Sequence, residues 1–189
     1  MTAPQAAANV SPAYNPLQRS DRSDMIDIVI ESPLWDRIAD IEAQVRRAAE
    51  AALPPARADC EIAVLLTDDQ SMRALNARFR GSDKPTNVLS FPAPASAQPT
   101  AGDGAPSAFL GDIVIAFETA NAEADAEEKE FGHHVAHLIV HGVLHLLGYD
   151  HEADAEAEAM EARERAILMQ LDISDPYGER GPAPLKRRA

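Results

Sequence analysis

The 189 residues predict one domain of the α/β or α+β class, built around a small mixed sheet. Three observations carry that expectation. Runs with strand periodicity and runs with helical periodicity alternate along the chain, which sets helices against a sheet rather than in a bundle of their own. The length fits a single core that needs no disulfide or structural metal to hold it, and no internal repeat or second domain appears. Hydrophobic residues make up 46% of the chain, enough for such a core, yet no stretch of about 20 apolar residues is present to cross a membrane.

Residues 1–24, rich in Ala, Pro, Asn and Ser and without a period, read as a disordered extension. They lack the basic start and apolar segment of a secretory signal, so the cytoplasm is the expected compartment. The domain proper is expected over 25–172. Met25 to Ile30 alternates and is β-branched, a strand. From Trp35 to about Leu53, Trp35, Ile38, Ile41, Val45 and Ala49 recur at helical spacing, and Pro54 and Pro55 stop the helix. Glu61 to Leu66 reads as a buried strand, and the lone Cys60, which opens the apolar run to Leu66, as a structural thiol that cannot form an internal disulfide. Thr67 and Asp68 offer N-caps for a helix with Met72, Leu75 and Phe79 on one face. Thr86 to Phe91 is a third strand, closed by Pro92, and a Pro/Ala-rich loop follows over 93–108. Phe109 to Ala116 is the fourth strand. A polar helix from about Glu118 breaks near Gly132, an apolar helix runs from His133 to Leu147 and ends at Gly148, and a last helix spans Glu152 to Leu171 with Met160, Ile167, Leu168 and Leu171 buried. Residues 173–189 are expected to be a basic, disordered tail.

All six histidines fall between His133 and His151. On a helix, His133, His137, His141 and His145 form one stripe, each step of four rising about 6 Å. Two neighbours can share an ion through bonds of about 2.0–2.1 Å, whereas residues eight apart cannot. A chain reversing at Gly148 brings His151 back toward His145 and then His141. That geometry selects His141, His145 and His151 as ligands of one catalytic zinc, with one position left open, and leaves His137 to pack or hydrogen-bond behind them. The spacing matches metzincin proteases, H-E-x-x-H-x-x-G-x-x-H, in which the Glu is the general base. Here Gly142 stands at that position, which argues against peptide hydrolysis by that route.

The formal net charge of −14 argues against a generic nucleic-acid binder. The charge is uneven, however: acidic residues crowd Glu118 to Glu164, while Arg73, Arg78, Arg80 and Lys84 cluster elsewhere, where a phosphate backbone has cations to meet.

The run His141-Gly142-Val143-Leu144-His145-Leu146-Leu147-Gly148-Tyr149-Asp150-His151 resembles the signature of the YbeY family of zinc-dependent endoribonucleases. Leu75-Asn76, Phe79-Arg80-Gly81 and the run from Asp83 to Pro92 are similar to that family's central block, and Leu110 to Ile115 to its next strand. The resemblance covers roughly Ile26 to Leu171. It implies an α+β domain with a mixed four-stranded sheet, one zinc ion per chain on His141, His145 and His151, and single-stranded RNA as substrate. It also implies work on the 3′ end of 16S ribosomal RNA and in ribosome quality control, with the small ribosomal subunit and assembly factors such as the Era GTPase as partners. By position Arg80 matches the family's functional arginine, and a guanidinium fork suits the charge that builds on a cleaved phosphodiester. Thr86, Asn87 and Ser90 are candidates for the cleft or for turn and strand-end hydrogen bonds. Asp112 and Asp150 are candidates for orienting a ligand or fixing a turn. Two other readings stay open: a metallohydrolase of peptides or other esters, and an assembly factor whose zinc shapes a binding cleft.

Overall fold

Four short apolar runs become the strands of one mixed sheet in the computed structural model, which describes residues 25–94, 109–151 and 153–178. They are β1 (Ile26–Ile30), β2 (Glu61–Thr67), β3 (Val88–Pro92) and β4 (Phe109–Ala116), in the order β1-β2-β4-β3. β1, β2 and β4 run parallel, and β3 lies antiparallel on β4 at the edge. The expected mixed four-stranded sheet is present. β4 is central and buried on both faces apart from Phe109, which explains why its sequence is an unbroken apolar run rather than an alternation. Its one irregularity is a bulge that shifts the register between Glu61 and Ile62. Gly111 follows there with φ 143, and a Cβ on it would meet the Phe91 carbonyl oxygen at 2.2 Å, so only glycine lets β3 come this close.

Helices cover the two faces unequally. Ile113 and Ile115 point into the larger core, shared with α1 (Ile41–Ala52), α4 (Phe131–Leu146) and α5 (Asp154–Gln170). Val114 and Ala116 point the other way, onto Met72 of α2 (Asp69–Arg80). A short α3 (Phe117–Ala126) leads from β4 into α4.

Several expected boundaries move. The helix expected from Trp35 to Leu53 splits into a 3₁₀ turn, Pro33–Arg37, and α1, with Asp40 left-handed between them (φ 53). Tertiary structure overrides the period there: Trp35 is fully buried, donates from Nε1 to the Thr67 carbonyl (2.9 Å), meets Phe117 edge-to-face and stacks on Phe131. β3 starts two residues late because Asn87 turns the chain, its Oδ1 accepting from Val88 N (2.6 Å), and it includes Pro92, which an edge strand tolerates. The break before α4 falls at Glu127 to Glu130 rather than at Gly132, which lies in the first turn, with the Glu130 carboxylate capping Gly132 and His133 N–H. The expected extension 1–24 and most of the loop 93–108 lie outside the described residues, as does the tail beyond Gly178. Its first part, Ile173 to Gly178, is folded: Asp175 Oδ1 accepts from Tyr177 N (2.9 Å) and Lys129 Nζ donates to the Pro176 carbonyl (3.1 Å). Composition suggested a tail there because Pro and Gly also build tight turns.

Candidate metal centre

α4 presses one face on the sheet and lifts the other clear of it. Gly142 is on the pressed face, where a Cβ would lie 3.0 Å from two carbons of Ile113. The residue that stands in place of a protease base is therefore glycine because the helix packs against β4, and its side-chain direction is into the core. His141 and His145, one turn apart, stand on the lifted face and are half-buried.

The helix ends in a Schellman turn: Gly148 (φ 90) donates to the His145 carbonyl at 3.0 Å, and Tyr149 N donates to Leu144 O at 3.0 Å. No atom crowds a Cβ at Gly148, so the left-handed backbone alone calls for glycine. The turned chain then delivers His151 to the pair, its ring centroid 5.1 Å from His145 and 5.7 Å from His141, nearer to His145 as the spacing predicts. Asp150 holds this arrangement through the backbone, Oδ1 accepting from His151 N (2.7 Å). One donor atom from each of the three histidines lies within 4.8 Å of the others, close enough to bind a metal ion together.

Hydrogen bonds fix which nitrogens converge. His141 Nδ1 lies 2.8 Å from Glu164 Oε1, and His145 Nδ1 lies 3.0 Å from the Tyr149 carbonyl. Both partners are acceptors, so both Nδ1 atoms carry the proton and both Nε2 atoms present lone pairs. Those two Nε2 atoms face each other at 3.0 Å. Two lone pairs at that distance repel unless a proton or a metal ion is shared between them. On one tetrahedral zinc with bonds of about 2.0–2.1 Å, two nitrogens sit about 3.3 Å apart, so the donor set fits the ion. Burial first, and then the charges that His141 and His151 would carry, push the His145 imidazole below its ordinary pKa, toward the neutral form a metal needs.

Glu164 lies on the buried stripe of α5 with Met160, Ile167 and Leu168, has no exposed surface, and was not foreseen from the sequence. Its Oε2 meets His137 Nε2 (3.0 Å) and the Tyr177 hydroxyl. Burial pushes this carboxyl up, but the hydrogen bonds from His137, His141 and Tyr177 outweigh it and hold it down at about 2. His137 thus stands behind the three histidines, as expected, and Leu171, expected to be buried, is only partly so.

A cavity of about 530 Å³ opens over the three histidines, and Arg80, Asn87, Ser90, Tyr149 and Asp150 line it with them. Arg80 arrives as the last residue of α2, before the left-handed Gly81 (φ 70). Among the described residues it makes no ion pair, whereas its neighbour Arg73 is clamped by both Asp83 oxygens at 2.7 Å. Asn87 binds Glu123 through Nδ2 (2.8 Å), and the buried Ser90 Oγ has no partner among the described residues. Thr86 Oγ1 donates to Asn87 Oδ1 (3.4 Å), a turn role, and Asp112 is buried within β4 opposite Phe91.

A family model described as Endoribonuclease YbeY matches residues 32–172. A protein named endoribonuclease YbeY from Rhodopseudomonas palustris is 56% identical over 158 residues, covering 81% of each chain. One of the same name from a Bradyrhizobium species is 53% identical over 157 residues, covering 82% of this chain and 92% of that one. A solution structure of a Thermotoga maritima protein aligns at a TM-score of 0.49 and 22% identity, over 82% of this chain and 100% of that one. No helix among the described residues is long and apolar enough to cross a membrane.

Proposed function

Because the chain belongs to the Endoribonuclease YbeY family, we propose that it cleaves single-stranded RNA with one zinc ion held by His141, His145 and His151. The observation that carries the zinc reading is the convergence of the His141 and His145 Nε2 atoms, 3.0 Å apart, with His151. Three nitrogen ligands and no sulfur favour an open, catalytic site over a closed structural one. When bound, zinc supplies a Lewis acid that polarises a phosphoryl oxygen or acidifies a water molecule.

The chain's own residues do the rest. Glu164 and the Tyr149 carbonyl hold the His141 and His145 rings in the tautomer that offers Nε2. Arg80, on the cavity wall and without an ion pair among the described residues, meets two oxygens of the scissile phosphate with its guanidinium fork and stabilises the charge that builds there. This is a local cation in an acidic protein, so phosphate is drawn to one wall rather than to the surface at large. The substrate is the 3′ end of 16S ribosomal RNA in the cytoplasm, met on the small ribosomal subunit together with assembly factors such as the Era GTPase.

The test is cleavage of an unstructured RNA by zinc-loaded protein and its loss on chelation, with binding retained. A 2′,3′-cyclic phosphate on the product assigns the attack to the 2′-OH, and its absence assigns it to water. Binding without cutting under every metal condition would leave an assembly factor in place of an enzyme.

A further inference from the structure

Glu164 has no exposed surface, so water cannot solvate it and every charged lone pair must meet a protein donor. Oε1 takes the His141 Nδ1 proton, and Oε2 takes those of His137 and the Tyr177 hydroxyl. Tyr177 comes from beyond α5. Asp172, left-handed at φ 62, ends that helix, and Ile173 N returns to the Leu168 carbonyl at 3.0 Å. The following turn is fastened to the body at several points. Arg165 Nε stands 3.3 Å from Asp175 Oδ1, its guanidinium lies 4.9 Å over the Tyr177 ring, and Lys129 holds the Pro176 carbonyl.

We propose that Tyr177 is a positioning residue of the metal centre: its hydroxyl fixes the Glu164 carboxylate, which in turn aims His141 Nε2 at the ion. The proposal rests on the reading of His141, His145 and His151 as ligands, and adds to it a residue beyond 172, where the family match ends. Without the hydroxyl, Oε2 keeps only His137, so the carboxylate loses one of its three anchors and the His141 ring is held less firmly. Groups that orient a metal-binding histidine are worth about 10–100-fold in metal affinity. Tyr177 acts one hydrogen bond further out, so about tenfold is expected.

The experiment compares full-length wild type, Tyr177→Phe, Glu164→Gln, the double variant and His141→Ala, titrated with zinc against a competing chelator and with cobalt(II) for its visible bands. Tyr177→Phe keeps the ring under Arg165, so a packing role predicts no change. The proposal predicts about tenfold weaker zinc binding, shifted cobalt bands, and no further loss when Tyr177→Phe is added to Glu164→Gln. Affinity within about twofold of wild type with superimposable bands overturns it, as does an undiminished effect in the Glu164→Gln background. If wild type and His141→Ala hold equally little zinc, the metal reading itself fails and takes this inference with it.

Discussion

The two ends of α4 put histidine to different uses. Upstream, His134 binds Glu123 (3.1 Å) and His137 binds Glu164, both through Nε2, and in each ring the remaining Nδ1 is buried without a partner among the described residues. Downstream, His141 and His145 bind through Nδ1 and leave Nε2 free and convergent. Nε2 is the outer ring atom, so tying it off faces the ring into protein, while tying off Nδ1 aims the ring outward. Spacing makes a histidine available; the partner on its other nitrogen decides whether it is a ligand.

The largest effect that difference predicts is the loss of His141. His141→Ala should lose both zinc and RNA cleavage, the first measured by metal analysis of purified protein and the second by a single-strand cleavage assay. Retention of full zinc would place the ion elsewhere and erase the distinction between the two ends.

Next in size is Arg80→Ala, which leaves the downstream histidines untouched. Zinc content and melting temperature should hold while cleavage falls by about 10²-fold or more, the scale for removing one charge-stabilising donor. Arg80→Lys should recover only part, because an ammonium keeps the charge and loses the fork. Normal cleavage by zinc-replete Arg80→Ala protein would leave the cavity wall without a phosphate contact.

Gly142→Glu sharpens the contrast with proteases. With Ile113 carbons at 3.0 Å from the new Cβ, the carboxylate is driven into the core. The expected result is destabilisation of about 2 kcal/mol or more by chemical denaturation, with peptidase activity at background. Peptide hydrolysis above a His141→Ala control would mean that position 142 faces the cleft.

The smallest effect belongs to His133→Ala. His133 is exposed, with only a 3.8 Å approach to Glu130, so zinc affinity and cleavage should stay within about twofold of wild type. A larger drop would extend the metal centre upstream.

Much of this is legible in the sequence. The run Phe109 to Ala116 matches β4 residue for residue because a fully buried strand announces itself in composition, and His-x3-His with Gly148 carried the turn geometry. Glu164 escaped because it sits among Glu156, Glu158 and Glu161, and one carboxylate among many looks like solvated surface. The signal was its register, four residues after Met160 and four before Leu168. Tyr177 escaped because Pro and Gly around it read as tail. Arg80 was indicated by resemblance alone, since no local rule separates it from Arg73, whose partner Asp83 only the fold makes visible.

The central claim is that His141, His145 and His151 hold one zinc through nitrogen. X-ray absorption on the purified protein, never exposed to chelator and with its metal quantified, tests it most directly. The account predicts close to one zinc per chain, with nitrogen and oxygen neighbours only, at about 2.0–2.1 Å. Sulfur ligation, or a metal content near zero, would contradict it.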